Sequence, residues 1–376
     1  MDMEKMNKRE FFKKSSLCMG GLFCMNLFNN DLLADNAGLW KWSREAIFYS
    51  ETPRGVKCGL CPNECILKPG ETSICNNRVN YNNKLYSIAY GNPCAVHIDP
   101  IEKKPLLHFM PQSRSFSIAA AGCTFACLNC QNWEISQTSP KKTTNFDLMP
   151  EKVVAECLKN NCDSIAYTYS EPISFYEYVY DTARLAHAEN IRNVFISNGY
   201  INDEPLKKLA PYLDAANINL KSFSDAIYLK LNAGKLQPIL NTLKTLKEQK
   251  VWLEITNLVI PSWTDDFEMI KRMCEWLVAN GFEEYPLHFI RFSPLYKLTQ
   301  LPATPIATLL KAKEIAENAG CKYVYVGNVP NIGTENTFCP KCKKMIVERK
   351  GYAILSMNIE KGKCKFCDYG INGVWD

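Results

Sequence analysis

The sequence contains no apolar run of the length a bilayer-spanning helix requires, which excludes a polytopic membrane protein. It also has no long run of one charge sign. Lys plus Arg exceed Asp plus Glu by 44 − 39 = 5, a mild surplus spread over 376 residues, which argues against a nucleic-acid-binding tail. Low-complexity tracts are missing, as is any internal repeat beyond a βα period. With 47% hydrophobic residues, disorder and collagen are excluded, and the length suits two or three folded units with a large core. Cysteine is what the chain has in excess, eighteen residues in all.

Spacing decides what these cysteines mean. Eleven fall into three tight groups: Cys58, Cys61, Cys65 and Cys75; Cys123, Cys127 and Cys130; and Cys339, Cys342, Cys364 and Cys367. Thiols two or three residues apart chelate one centre more readily than they form disulfides, so a reducing or anaerobic compartment follows. The other seven (Cys18, Cys24, Cys94, Cys157, Cys162, Cys274 and Cys321) read as small buried hydrophobes.

The chain divides into a leader at 1–37, a Cys-rich cap at 38–111, a βα region at 112–330 and a four-cysteine ribbon at 331–376. The cap is loop-rich and punctuated by Pro and Gly. Beyond it, short β-rich segments alternate with amphipathic helices, the sequence form of parallel βα units. Strands are predicted at Ser115–Ala121, Ser164–Tyr169, Asn193–Ser197, Ala216–Leu220, Trp252–Ile260 and Leu287–Phe292, with a last run at Tyr323–Val326. That makes an α/β fold with about six repeats, an open or partial barrel. Ligands of such folds sit at the carboxyl ends of the strands. There the sequence places Cys123, Glu171, Asn198 and Lys221 after the first four strands, Asn257 within the fifth and Arg291 near the end of the sixth, with His288 on that last strand either a further candidate or a satisfied core residue.

The central group reads Cys123-x3-Cys127-x2-Cys130 directly after the first of these strands. Three thiolates leave one iron of a [4Fe-4S] cluster open to an outside chelator, where a structural zinc normally takes four protein ligands. This pattern resembles the radical S-adenosylmethionine (SAM) superfamily. The resemblance implies that the amine and carboxylate of SAM chelate the open iron. Reductive cleavage then yields a 5′-deoxyadenosyl radical that abstracts hydrogen from a substrate. It also implies that Tyr169-Ser170-Glu171-Pro172 stands at the superfamily's Gly-Gly-Glu position, with Glu171 taking the SAM ammonium. Asn198 and Lys221 lie on loops that hold the ribose and the methionyl carboxylate. Asn129 departs from the pattern, because an aromatic residue usually precedes the third cysteine and packs on adenine. Adenine contact is then polar, or comes from Phe125 or Trp133.

Cys339-x2-Cys342, 21 intervening residues and Cys364-x2-Cys367 form two knuckles able to close one tetrahedral four-sulfur site, a zinc ribbon or a rubredoxin-like iron site, with structural zinc favoured. Cys58, Cys61, Cys65 and Cys75 can hold zinc or an auxiliary iron–sulfur cluster. A narrower resemblance rests on Cys58-Gly-Leu-Cys61-Pro-Asn-Glu-Cys65, Asp99 to Leu106, Cys130 to Ser136, Tyr169 to Pro172 and the closing Gly373-Val374-Trp375. Together these are similar to the AmmeMemoRadiSam system radical SAM enzymes, relatives of pyruvate formate-lyase activating enzymes. That resemblance implies Memo-like and AMMECR-like protein partners, a low-potential donor such as flavodoxin or ferredoxin, and a substrate it does not specify. A glycyl-radical activase is the alternative within the enzyme class; a non-catalytic iron–sulfur or zinc module is the alternative outside it.

Asn7-Lys-Arg-Glu-Phe-Phe-Lys13, followed by a short apolar stretch, looks like a degenerate twin-arginine signal with Lys8 in place of the first arginine. A cytoplasmic location is expected, with export or membrane tethering through this leader as the alternative.

Overall fold

A computed structural model describes residues 39–329 and 332–375, so the leader and its signal-like motif lie outside the described residues. Eight strands form one open sheet. They are β1 (Ala95–Pro100), β2 (Arg114–Ala119), β3 (Ser164–Tyr167), β4 (Arg192–Ser197), β5 (Ala215–Asn219), β6 (Trp252–Val259), β7 (Leu287–Arg291) and β8 (Val324–Gly327), hydrogen-bonded in that order from one edge to the other. β2 to β8 run parallel, while β1 pairs antiparallel with β2 through registers from Ala95↔Ala119 to Pro100↔Arg114. The first and last strands do not join, so the barrel is partial.

Helices α1 (Pro150–Lys159), α2 (Tyr176–Ala188), α3 (Asp203–Leu209), α4 (Leu236–Glu248), α5 (Phe267–Ala279) and α6 (Ile306–Asn318) alternate with β2 to β8. Strand alternation sends Ile165, Phe195, Ile218, Leu253, Ile255 and Phe289 into the large core that these helices share. The opposite faces carry Ala166, Val194 and Ala215, which join Ile101, Leu106 and Phe109 from the β1–β2 connection. That connection fills the amino ends of the strands and leaves ligands the carboxyl ends. Segment Trp42–Asp376 is one compact unit. Cys157, Cys162, Cys274 and Cys321 are buried and unbridged, as expected for small hydrophobes.

The amino ends also hold a buried polar network that explains His288. His288 is the second residue of β7, far from that strand's carboxyl end, and its Nε2 lies 2.6 Å from Glu254 Oε2. Of the two readings the sequence leaves for it, the structure matches the satisfied core residue. Glu254 Oε1 accepts from His108 N at 2.7 Å, and the His108 ring spans Asn372 O at 2.7 Å and Tyr325 Oη at 2.6 Å. Because a carbonyl only accepts, Nδ1 carries the His108 proton and Nε2 accepts from the tyrosine.

Burial pushes His108 down to about 4. An unfolded histidine takes its proton near 6.5, so between these values the unfolded chain binds more protons and the fold loses stability as pH falls. Unfolding free energies from urea titrations at pH 7 and pH 4.5 are expected to differ more for the native chain than for His108→Gln, by up to about 2 kcal/mol. Equal pH dependence in both would remove this role.

Candidate functional site

The connection after β2 carries Cys123, Cys127 and Cys130, and its entry needs glycine. Gly122 has φ +103°, and a Cβ there would meet Cys75 O at 2.4 Å and Asn77 Oδ1 at 2.6 Å. The cysteine loop is then held from two sides. A helical excursion ending at Asn232 accepts Ala126 N at Asn232 O (3.0 Å) and Leu128 N at Leu231 O (2.9 Å), and Asn63 Nδ2 donates to Thr124 O at 2.8 Å.

The sulfurs receive N–H donors. Phe125 N lies 3.4 Å and Asn198 Nδ2 3.8 Å from Cys123 Sγ, and Asn232 Nδ2 lies 3.1 Å from Cys127 Sγ. Burial pushes the Cys123 thiol well up, as do Glu171 and the neighbouring thiols; Cys130 is raised by burial and by Cys127. Buried thiols that interact unfavourably as anions, yet face N–H donors, fit a site completed by a cationic metal centre. The donor set suits the three-thiolate cluster.

Glu171, Asn198 and Lys221 stand on the next three strand-to-helix connections. Glu171 is held by three donors from within the protein, with an acceptor site left on Oε2. Ser197 Oγ donates to Oε1 at 2.6 Å, Ile173 N to Oε1 at 3.2 Å and Asn198 N to Oε2 at 2.8 Å. Burial raises Glu171 to about 7 against these donors and the Lys221 charge. Its place is that of a brace between two loops. Asn198 spends its amide on the cysteine loop, donating to Thr124 Oγ1 at 3.0 Å. The Lys221 ammonium is near enough to lower both Glu171 and Cys130.

Two expected residues are not brought to this set. Asn257 turns to the helix side of β6, where Nδ2 donates to Leu220 O at 2.7 Å and touches Met273 of α5. Arg291 closes β7, with Nε donating to Thr304 O at 2.8 Å. Phe125 is likewise unavailable to adenine. It is buried against Tyr200, and a Cβ on Gly234 would meet its ring at 2.3 Å. Trp133 is 39% exposed and stacks on Tyr296, and the buried Asn129 has an Oδ1 with no partner among the described residues.

Sequence reading missed Asn232, because a lone Asn before Ala-Gly carries no spacing signal. It also left without a role the cluster inside the sheet's concave face, where Asp99 binds Lys103 (2.7 Å), Lys104 (2.6 Å) and the Tyr169 hydroxyl. Burial lowers Lys104 to about 8.

The C-terminal quartet has a different shape. All four Sγ atoms of Cys339, Cys342, Cys364 and Cys367 lie within 4.8 Å of one another, with pairs at 3.6 and 3.7 Å. One tetrahedral ion with bonds of about 2.3 Å sets sulfurs about 3.8 Å apart, so the quartet has the dimensions to hold a single ion. Among the described residues, no other three Cys, His, Asp or Glu ligand atoms gather so closely. No helix among the described residues is long and apolar enough to cross a membrane.

The Radical SAM superfamily profile matches residues 117–277. An uncharacterized protein of Methanocaldococcus jannaschii is 44% identical over 327 residues, covering 86% of this chain and 97% of that relative. The pyruvate formate-lyase 1-activating enzyme of Escherichia coli K12 is 27% identical over 218 residues, covering 54% of this chain and 89% of that enzyme. Among solved structures, a radical SAM methyltransferase from Sphaerobacter thermophilus aligns with a TM-score of 0.46 at 14% identity, over 58% of this chain and 67% of that one. This chain therefore belongs to the radical SAM superfamily and is an enzyme related to the activating enzymes of pyruvate formate-lyase.

Proposed function

We propose that the chain is a radical SAM enzyme of the AmmeMemoRadiSam type, acting on a small molecule or modified macromolecule in a Memo-linked system. The observation that carries the reading is the meeting of three thiols, two of them N–H-bonded, with Glu171, Asn198 and Lys221 at the carboxyl ends of β2 to β5. Cys123, Cys127 and Cys130 would hold a [4Fe-4S] cluster, which when bound to SAM supplies the reductive cleavage that yields a 5′-deoxyadenosyl radical. Lys221 is suited to the SAM carboxylate as a point charge. Glu171 braces the loops on which Asn198 and Ser197 stand. The Asp99, Lys104 and Tyr169 cluster offers a polar wall to a substrate.

The C-terminal quartet would hold a structural zinc, a reading its compact four-sulfur arrangement supports, with a rubredoxin-like iron as the alternative. Thiols left unbridged throughout the described residues suit a reducing cytoplasm. A flavodoxin or ferredoxin would then supply electrons.

The test is anaerobic: iron and sulfide reconstitution, dithionite, SAM and quantification of 5′-deoxyadenosine, with Memo-like and AMMECR-like proteins added in a second arm. The relation to the E. coli activating enzyme favours a second reading, installation of a glycyl radical on a partner protein. A protein-backbone doublet in the electron paramagnetic resonance (EPR) spectrum with such a partner would select it. Glu171→Ala is expected to weaken SAM binding roughly ten- to hundredfold, the scale of losing a buried charged hydrogen-bond acceptor. Unaltered affinity would remove the brace from the binding site.

A further inference from the structure

The cap cysteines make a site unlike the C-terminal quartet. Cys58 ends the strand Gly55–Cys58, and its N–H donates to Cys65 O at 2.9 Å, closing a turn in which Glu64 N also donates to Cys61 O at 3.0 Å. Cys75 enters from the opposite side with its Sγ 3.1 Å from Ser73 Oγ. Cys58, Cys61 and Cys75 are 4, 7 and 6% exposed, and none of the four forms a disulfide. Cys58 and Cys61 lie in one core cluster with Cys65 packed against it, and the Cys61 thiol, raised by burial, is raised further by Cys75, Cys58 and Cys65.

Yet no three of these sulfurs fall within 4.8 Å of one another, as all four do at the C-terminus. One tetrahedral ion needs sulfur separations of about 3.8 Å. A cubane places each thiolate on a different iron and holds them farther apart. Cys123, Cys127 and Cys130 show the same wide arrangement. Two kinds of cysteine site thus coexist in one molecule, and the cap set falls with the cluster kind. A buried guanidinium stands in the same cap: Arg78, 1% exposed, pairs with Glu177 at 2.6 Å, and its Nε has no partner among the described residues.

We propose that Cys58, Cys61, Cys65 and Cys75 hold a second iron–sulfur cluster that relays single electrons to the cluster on Cys123, Cys127 and Cys130; the relay rests on the radical SAM reading above. Four protein thiolates leave no iron open, so this cluster exchanges electrons and not ligands. Its neighbourhood fits. Cys75 O lies against Gly122, next in sequence to Cys123, while Asn77 Nδ2 donates to Ala121 O at 2.6 Å and Asn63 Nδ2 to Thr124 O at 2.8 Å. The Cys75 carbonyl thus lies against the residue that precedes Cys123. Ile66 and Ile74, sequence neighbours of Cys65 and Cys75, are 41 and 61% exposed and give an apolar landing for a donor of the flavodoxin or ferredoxin class. In each transfer the donor loses one electron to the cap cluster, which is reoxidised as the SAM-site cluster is reduced.

The full-length protein, reconstituted anaerobically and desalted, is assayed for iron, zinc and acid-labile sulfide. About eight sulfides per chain are expected, falling to about four both in Cys58→Ser/Cys61→Ser and in Cys123→Ala/Cys127→Ala/Cys130→Ala. The reduced triple variant should show the EPR signal of one cluster that SAM does not perturb. About four sulfides and about two zinc ions in the native chain, with no sulfide in the triple variant, would overturn the proposal and leave the SAM site standing. About eight sulfides in a native chain whose EPR ignores SAM would support the cap cluster while refuting the SAM reading. The relay has its own readout: reduction of the SAM-site cluster by reduced flavodoxin should slow in Cys58→Ser/Cys61→Ser, and an unchanged rate would overturn it.

Discussion

Replacing Cys127 with Ala is expected to reduce 5′-deoxyadenosine formation to the level of a protein-free control. Cys127 is buried, its Sγ accepts from Asn232 Nδ2 at 3.1 Å, and it sits between Cys123 and Cys130 on a loop fixed by Asn232 O and Leu231 O. Loss of one of three thiolates leaves two, too few to anchor a cubane with one open iron. The C-terminal quartet belongs to a separate cluster of side chains and should keep its metal in the variant. Metal content therefore separates a lost active cluster from a lost fold. Unchanged turnover would refute the assignment of Cys127.

Arg78→Met is expected to destabilise the fold by about 3–5 kcal/mol, the scale of breaking a buried ion pair from one side. Arg78 and Glu177 are 1 and 4% exposed and meet at 2.6 Å, joining the cap to α2. Glu177 Oε1 also accepts from Ile47 N at 3.0 Å, so the carboxylate would remain buried with one amide for company. The double change Arg78→Met/Glu177→Met should recover much of the loss, because two apolar side chains leave no charge unpaired. Urea unfolding of the single and double variants measures both. A single variant within about 1 kcal/mol of the native chain would mean that the pair is solvated.

The βα alternation was legible because strands buried on both faces read as short β-branched runs between amphipathic helices. Six predicted strands fall within two residues of those observed, Ser115–Ala121 against Arg114–Ala119 for the first. The edge strand Ala95–Pro100 was not, since its exposed His97 and Ile98 and closing Pro100 resemble loop sequence. Burial on both faces also hid which way a polar side chain points. Glu254 and Thr256 face the inside of the sheet, where they meet His288 and Asn217, while Asn257, next in sequence, faces α5.

The cysteine groups declared themselves by spacing, but their shapes did not. Only three-dimensional sulfur positions separate a single-ion site from a cluster site. Glu171 shows the same limit in another form. Its place after β3 was readable, but its engagement with Ser197 and Asn198 depends on a neighbouring connection 26 residues away.

The most direct measurement is the EPR spectrum of the anaerobically reconstituted, dithionite-reduced protein recorded with and without SAM. The expected result is a signal, absent from the Cys123→Ala/Cys127→Ala/Cys130→Ala variant, that changes shape when SAM takes the open iron. A spectrum unaltered by saturating SAM would contradict the assignment of Cys123, Cys127 and Cys130 as the SAM-binding cluster.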